Sequence, residues 1–146
     1  TQKISKYYHQ LLKHSPLKIE VFMTIIQSIL AQINDFIDDD NLTYFIMEPQ
    51  GYPYFLQFAK IGENYILDIP AGNFFEEDMQ KTMQELLKNK FRKEVLSVKN
   101  DQSERLATYQ VRFSDNEINK MCYVANELFQ QSLKVNDNAE VNISMR

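Results

Sequence analysis

The chain of 146 residues has no tryptophan, one cysteine, three glycines and two histidines. Each shortage removes a class of chemistry. A lone cysteine, Cys122, excludes an intramolecular disulfide and a cysteine-based zinc site, and it fits a reducing compartment, most simply the cytoplasm. With so few glycines there is no phosphate-cradling loop, and neither G-x-G-x-x-G nor a Walker sequence occurs. No apolar run approaches the roughly 18 residues that cross a bilayer, and no signal-peptide pattern is read. The chain opens on Thr1 rather than Met, which leaves a trimmed start or a longer parent protein open. An excess of cations is also missing: 16 Lys and Arg against 20 Asp and Glu give a net charge of −4 and a pI near 5.2. Nucleic-acid binders usually show a basic patch or a domain pI above about 9, so neither nucleic acid nor a membrane is an expected partner.

What is present is apolar patterning. A hydrophobic fraction of 44% supports a core without disulfides at this length, and 1–146 reads as a single domain. Residues 1–15 are an N-terminal segment in which Ile4, Tyr7, Tyr8, Leu11 and Leu12 fall roughly on one side of a short helix. Ser15-Pro16 is a helix-start signal, and the helix after it carries an apolar stripe of Phe22, Ile26, Ile29, Ile33 and Ile37. That helix is expected to stop near the acidic run Asp38-Asp39-Asp40. Three strand patterns follow: "TYFIMEP", then "YFLQFAK" and "NYILDIP" joined by Ile61-Gly62-Glu63 as a hairpin. Asn73 reads as the cap of a second helix with Glu76, Glu77 and Asp78 in its first turn and Met79, Met83, Leu86 and Leu87 on its apolar face. Strands around "EVLSVK" and "ATYQVRF" come next, the second alternating cleanly. Ser114 to Glu117 is a capping box for a last helix bearing Ile118, Met121, Cys122, Ala125, Leu128, Phe129 and Ser132 on one face. The tail 136–146 alternates at Val141, Ile143 and Met145 and reads as either a weak extra strand or a frayed, peripheral end. The expected fold is α+β: a five-stranded antiparallel sheet with flanking helices, in the order α-β-β-β-α-β-β-α.

Catalytic signatures are not found. His9 and His14 stand i, i+5 apart, off a common helix face, and further zinc ligands cannot be nominated. Cys122 sits on an apolar helix face and reads as a core thiol, and Ser114 is accounted for as a cap. Asp35, Asp38, Asp39 and Asp40 lack the alternating spacing of a calcium loop. The carboxylates Glu76, Glu77 and Asp78 are explained by the helix start. No catalytic residue, metal site or cofactor is therefore assigned. What remains is surface. In the central hairpin Tyr54, Leu56, Phe58, Tyr65, Leu67 and Ile69 share the parity of a core face, whereas Phe55 and Ile66 are large apolar groups on the other side. A sheet with helices on one face often leaves the other solvated, and an apolar patch there can be a binding surface. Cover by the N-terminal segment, the tail or a second subunit is the competing reading.

The element order resembles the class I type III secretion chaperone fold and its YbjN-like relatives, and "YFLQFAKIGENYILDIPAGNFF", "MQKTMQELLKNKF" and "FSDNEINKMCYVANELFQQSL" are similar to that family's central hairpin, second helix and last helix. The resemblance covers roughly residues 16–133. It implies a bacterial, cytoplasmic, non-enzymatic protein, usually a homodimer, that holds a partly unfolded segment of an effector-type partner against apolar patches. The residues expected to contact the partner are Phe55 and Ile66 on the open face, with Phe74 and Phe75 beside the hairpin. Two rivals are an immunity or inhibitor protein whose acidity suits a basic toxin, and an enzyme with an unfamiliar site.

Overall fold

The computed structural model describes residues 23–74, 76–103 and 105–146. The expectations placed on the N-terminal segment, on Ser15-Pro16, on His9, His14 and Phe22, and on Phe75 lie outside these residues. The architecture is α+β: one open antiparallel sheet with helices packed against it. The sheet has six strands rather than five. In chain order the elements are α1 (Ile25–Asp38), β1 (Tyr44–Pro49), β2 (Leu56–Ile61), β3 (Asn64–Pro70), α2 (Glu77–Glu85), β4 (Leu96–Lys99), β5 (Leu106–Phe113), α3 (Ile118–Glu127) and β6 (Val141–Met145). The strands lie in the order β4-β5-β3-β2-β1-β6. The tail is thus a strand, and it pairs with β1 from Phe45 opposite Met145 to Pro49 opposite Val141.

Local chemistry explains most boundaries. Thr24 and Gln27 form a capping box at the start of α1: Gln27 N–H donates to Thr24 Oγ1 at 3.3 Å, and Thr24 N–H donates to Gln27 Oε1 at 3.0 Å. The helix stops at Asp38, where carboxylates sit badly against the negative end of the dipole. A cation from elsewhere offsets them. Lys60 Nζ, on β2, donates to the carbonyls of Phe36 (2.6 Å) and Asp39 (2.8 Å) and lies 4.6 Å from the centre of the Phe36 ring. In the β2–β3 hairpin Ile61 pairs with Asn64, so Gly62 and Glu63 are the two-residue turn. Gly62 has φ +58 at the first central position, a conformation that costs glycine little.

The helices α2 and α3 end alike. Each widens into a final looser turn, Leu86–Lys90 and Leu128–Ser132, and then places a basic residue in the left-handed region: Arg92 at φ 52 and Lys134 at φ 56. The next amides reach back, Lys93 N–H to Leu87 C=O at 2.7 Å and Val135 N–H to Phe129 C=O at 2.8 Å. This satisfies carbonyls that the helix end would leave orphaned.

Buried side chains from all three helices join one cluster with a single parity of each central strand: Phe45 and Met47, Leu56 and Phe58, Tyr65 with Leu67 and Ile69, and Tyr109 with Val111 and Phe113. The helices therefore cover one face of the sheet. On α1 the buried stripe is Ile25, Ile29, Ile33 and Phe36: Ile29 and Ile33 are buried as expected, whereas Ile26 and Ile37 are only partly buried against the core, their places taken by Ile25 and Phe36.

Candidate functional site

The face of the sheet that carries no described helix is where chemistry and exposure depart from ordinary core logic. Register defines it. One cross-sheet row runs Tyr44, Ala59, Ile66, Arg112, and the next runs Ser144, Ile46, Gln57, Asp68, Gln110, Leu96. The centre of the second row is polar. Asp68 accepts from Gln57 Nε2 at 2.8 Å and from Thr108 Oγ1 at 2.5 Å, which binds β2, β3 and β5 together side chain to side chain.

Among the described residues, seven large apolar side chains are exposed: Tyr44, Phe55, Ile61, Leu96, Val98, Leu106 and Tyr123. Strand parity puts the first six on the helix-free face, in a β1–β2 patch (Tyr44, Ile61), a β4–β5 patch (Leu96, Val98, Leu106), and Phe55 at the start of β2. Only Tyr123 lies on a helix.

Phe55 is 39% exposed, and its backbone is held tightly. The amide of Asn73, itself 2% exposed, accepts from Phe55 N–H at 3.2 Å and donates to Phe55 C=O at 2.7 Å. Asn73 is therefore not the cap expected from the sequence. It lies in the short 3₁₀ turn Ala71–Asn73, and α2 begins four residues later with Glu77 and Asp78 in its first turn. The physical reason is that Phe55 stands just before β2 and its peptide groups would otherwise lack partners. A side chain on a pinned backbone loses little further freedom when it meets a ligand.

Ile66 shares this face with Phe55 but is only 3% exposed. Through its partner Ala59 it stands about 13 Å from Phe55 along the strand. Phe74 is brought to the other side. It packs edge-on against Tyr109 with ring centres 5.9 Å apart and closes the core, while Tyr109 Oη accepts from Gln80 Nε2 at 2.9 Å. The structure thus brings Phe55 and Ile66 to one face and separates Phe74 from them. The residues that sequence reasoning missed are Tyr44, Ile61, Leu96, Val98 and Leu106. The same odd–even parity that isolated Phe55 would have found them, had it been carried outward from the central hairpin.

An open groove of about 650 Å³ lies elsewhere, floored by Met79 and Leu133, walled by the stacked Tyr52 and Tyr54, and edged by Glu76 and Asp78. The groups with displaced proton affinity do not line it. Burial pushes the Cys122 thiol up to about 12, which keeps it protonated and inert. Burial, followed by repulsion from Asp115 and Asp38, raises Tyr65. Glu117 is lowered to about 2, first by its hydrogen bond from Lys93 and then by one from the Ser114 backbone. All three have structural explanations: two core positions and a capping box. Among the described residues no group of three or more His, Cys, Asp or Glu side chains is placed to hold a metal ion, and no helix is long and apolar enough to cross a membrane.

Comparison with protein-family models, with curated proteins and with solved structures finds no match for this chain. The geometry of the helix-free face is what a functional reading has to work from.

Proposed function

We propose that this protein is a non-enzymatic, chaperone-like binding module that holds a segment of a partner protein against the helix-free face of its sheet. The observation that carries the reading is the sorting of exposed apolar residues: among the described residues, six of the seven large ones fall on the one face that no described helix covers. Scattered surface apolars need no explanation, but a one-sided concentration marks an interaction surface. The two patches stand on either side of the polar Gln57–Asp68–Thr108 centre. An extended segment with apolar residues separated by a polar stretch suits that layout, with apolar contacts giving affinity and Asp68 and its neighbours giving register. Phe55 is the leading contact, and Ile66 forms the floor beneath the ligand rather than a protruding anchor. Phe74 acts from behind, through the core, and Phe75 is retained from the sequence reading as a contact beside it.

The reading includes a bacterial, cytoplasmic setting and an effector-type partner, both drawn from the resemblance in the hairpin and last-helix sequences. Affinity capture with the protein from its native organism, compared with Phe55→Asp, tests it. Wild type is expected to retain a partner in high salt, and a variant with unchanged circular dichroism is expected to lose it. Capture that collapses as salt is raised would instead favour neutralisation of a basic toxin by the acidic chain. Equal capture by both proteins would remove Phe55 from the site.

A further inference from the structure

The two edges of the sheet are not alike. The outer strand β4 is four residues long, ends in Lys99 and carries a register shift between Val98 and Lys99. Short length, an edge lysine and a bulge all discourage a further strand from adding. At the other edge β6, Val141-Asn142-Ile143-Ser144-Met145, has no charge and no proline and pairs with β1 in unbroken register. Hydrogen-bond alternation fixes where its backbone points. Tyr44 N–H donates to Arg146 C=O at 2.7 Å, Arg146 N–H donates to Tyr44 C=O at 3.1 Å, and Gln50 N–H donates to Glu140 C=O at 2.7 Å. Bonded and non-bonded pairs alternate along an antiparallel ladder. Ser144 and Asn142 are therefore the residues bonded to β1, while Val141, Ile143 and Met145 turn their N–H and C=O groups to the outer edge. Among the described residues no strand receives them.

We propose that this edge pairs with its own copy: β6 lies antiparallel to β6 of a second molecule about a two-fold axis at Ile143, joining the two sheets into one. The sequence around the strand is self-complementary. In this register Ile143 faces Ile143 of the second copy, Val141 faces Met145, Asn142 faces Ser144, and Glu140 faces Arg146. Glu140 and Arg146 are both exposed and share one side of the strand, so each junction closes with opposite charges at both ends. The three positions with outward backbone groups are the three that such an axis uses, each exchanging a pair of hydrogen bonds. The axis stands perpendicular to the sheet, so both helix layers fall on the same side. Helix α1 packs on β1 and β6, so it stands beside the junction. The contact is isologous and closes at two copies. It stands on edge geometry alone and is independent of what the helix-free face binds.

Sedimentation velocity across a concentration series tests the proposal. The mass is expected to rise with concentration from 17.3 kDa towards twice that value. Hydrogen exchange is expected to show the amides of Val141, Ile143 and Met145 gaining protection with concentration, while Asn142 and Ser144 are protected throughout. Ile143→Pro removes an outward N–H that β1 does not use, and it is expected to give a folded monomer. Glu140→Arg is expected to weaken association on the order of tenfold, and Glu140→Arg with Arg146→Glu to restore it. A wild-type monomer at every concentration would overturn the proposal, and so would a dimer that Ile143→Pro leaves intact. If Ile143→Pro does not fold, the charge exchange decides: no loss from the single change, or no recovery with the double, overturns it. Phe55→Asp is expected to leave the dimer unaltered, so failure of this interface and failure of the partner-binding reading are told apart.

Discussion

Changing Glu117 to Gln removes a charge that, among the described residues, pairs with both Lys93 and Lys120. Glu117 closes the capping box at the start of α3: its carboxylate accepts from Ser114 N–H at 3.0 Å and from Lys93 Nζ at 2.8 to 3.0 Å. Lys93 also donates to Arg112 C=O at 3.0 Å and lies 4.5 Å from the Phe113 ring centre, which fixes it between β5 and α3. The carboxyl is lowered from 4.5 to about 2. At about 1.4 kcal/mol per pKa unit, complete expression of that shift would stabilise the fold by about 3 kcal/mol. The two side chains are 28% and 16% exposed, so solvent screens part of the interaction, and we expect about 1–2 kcal/mol. The sign follows from linkage. A depressed carboxylate contributes in full above its unfolded value near 4.5, and the contribution fades as pH falls from there towards 2. Urea denaturation of wild type and Glu117→Gln at pH 7, 4 and 2.5 measures it. The gap between the two is expected to be about 1–2 kcal/mol at pH 7 and to shrink to roughly a quarter of that at pH 2.5, just above the folded value. A gap that is absent at pH 7, or equally large at pH 2.5, would refute the assignment.

Lys60→Met removes the cation that caps α1 against Asp38 and Asp39; a loss of about 1–3 kcal/mol in urea denaturation is expected, and no loss would show that the C-terminal carbonyls of α1 are adequately served by water. Arg92→Gly and Lys134→Gly relieve left-handed backbone at φ 52 and 56, and each is expected to raise stability by up to about 1 kcal/mol, read as a higher melting temperature. Cys122 is fully buried, with its thiol at about 12, so iodoacetamide at pH 8 is expected to label it only as fast as the protein unfolds; rapid labelling of the native protein would show an accessible thiolate.

The sequence carried some of this structure plainly and some of it not at all. The central hairpin was legible because its partners are neighbours: alternation placed Leu56, Phe58, Leu67 and Ile69 in the core, and the register of β2 with β3 agrees. The Ser114–Glu117 capping box was equally local. The sixth strand was ambiguous because its stabilising partner is β1, a hundred positions away from Met145 at Phe45. In α1 the expected and observed apolar stripes share Ile29 and Ile33, and only the tertiary contacts choose Ile25 and Phe36 over Ile26 and Ile37 as their neighbours. Asn73 was mistaken for a cap because its side chain suits one. Its real partner, the backbone of Phe55, lies 18 residues earlier. Lys60 carries no sequence signal for its role either, since the helix end it serves is 21 to 24 residues away. For the candidate site, parity put Phe55 and Ile66 on one face of the sheet, as the register does. It could not rank them, because exposure of 39% against 3% depends on the whole sheet.

The central claim is that a partner meets the helix-free face and not the helix layer. Two exposed aromatic positions make the contrast available in one protein: Phe55 on that face, and Tyr123, 50% exposed, on α3. Replacing each in turn with a photoreactive p-benzoylphenylalanine and irradiating the protein in lysate of its native organism measures contact directly. Discrete partner adducts from position 55 and none from position 123 are the predicted result. Adducts from position 123 with none from position 55, or none from either, would contradict the account.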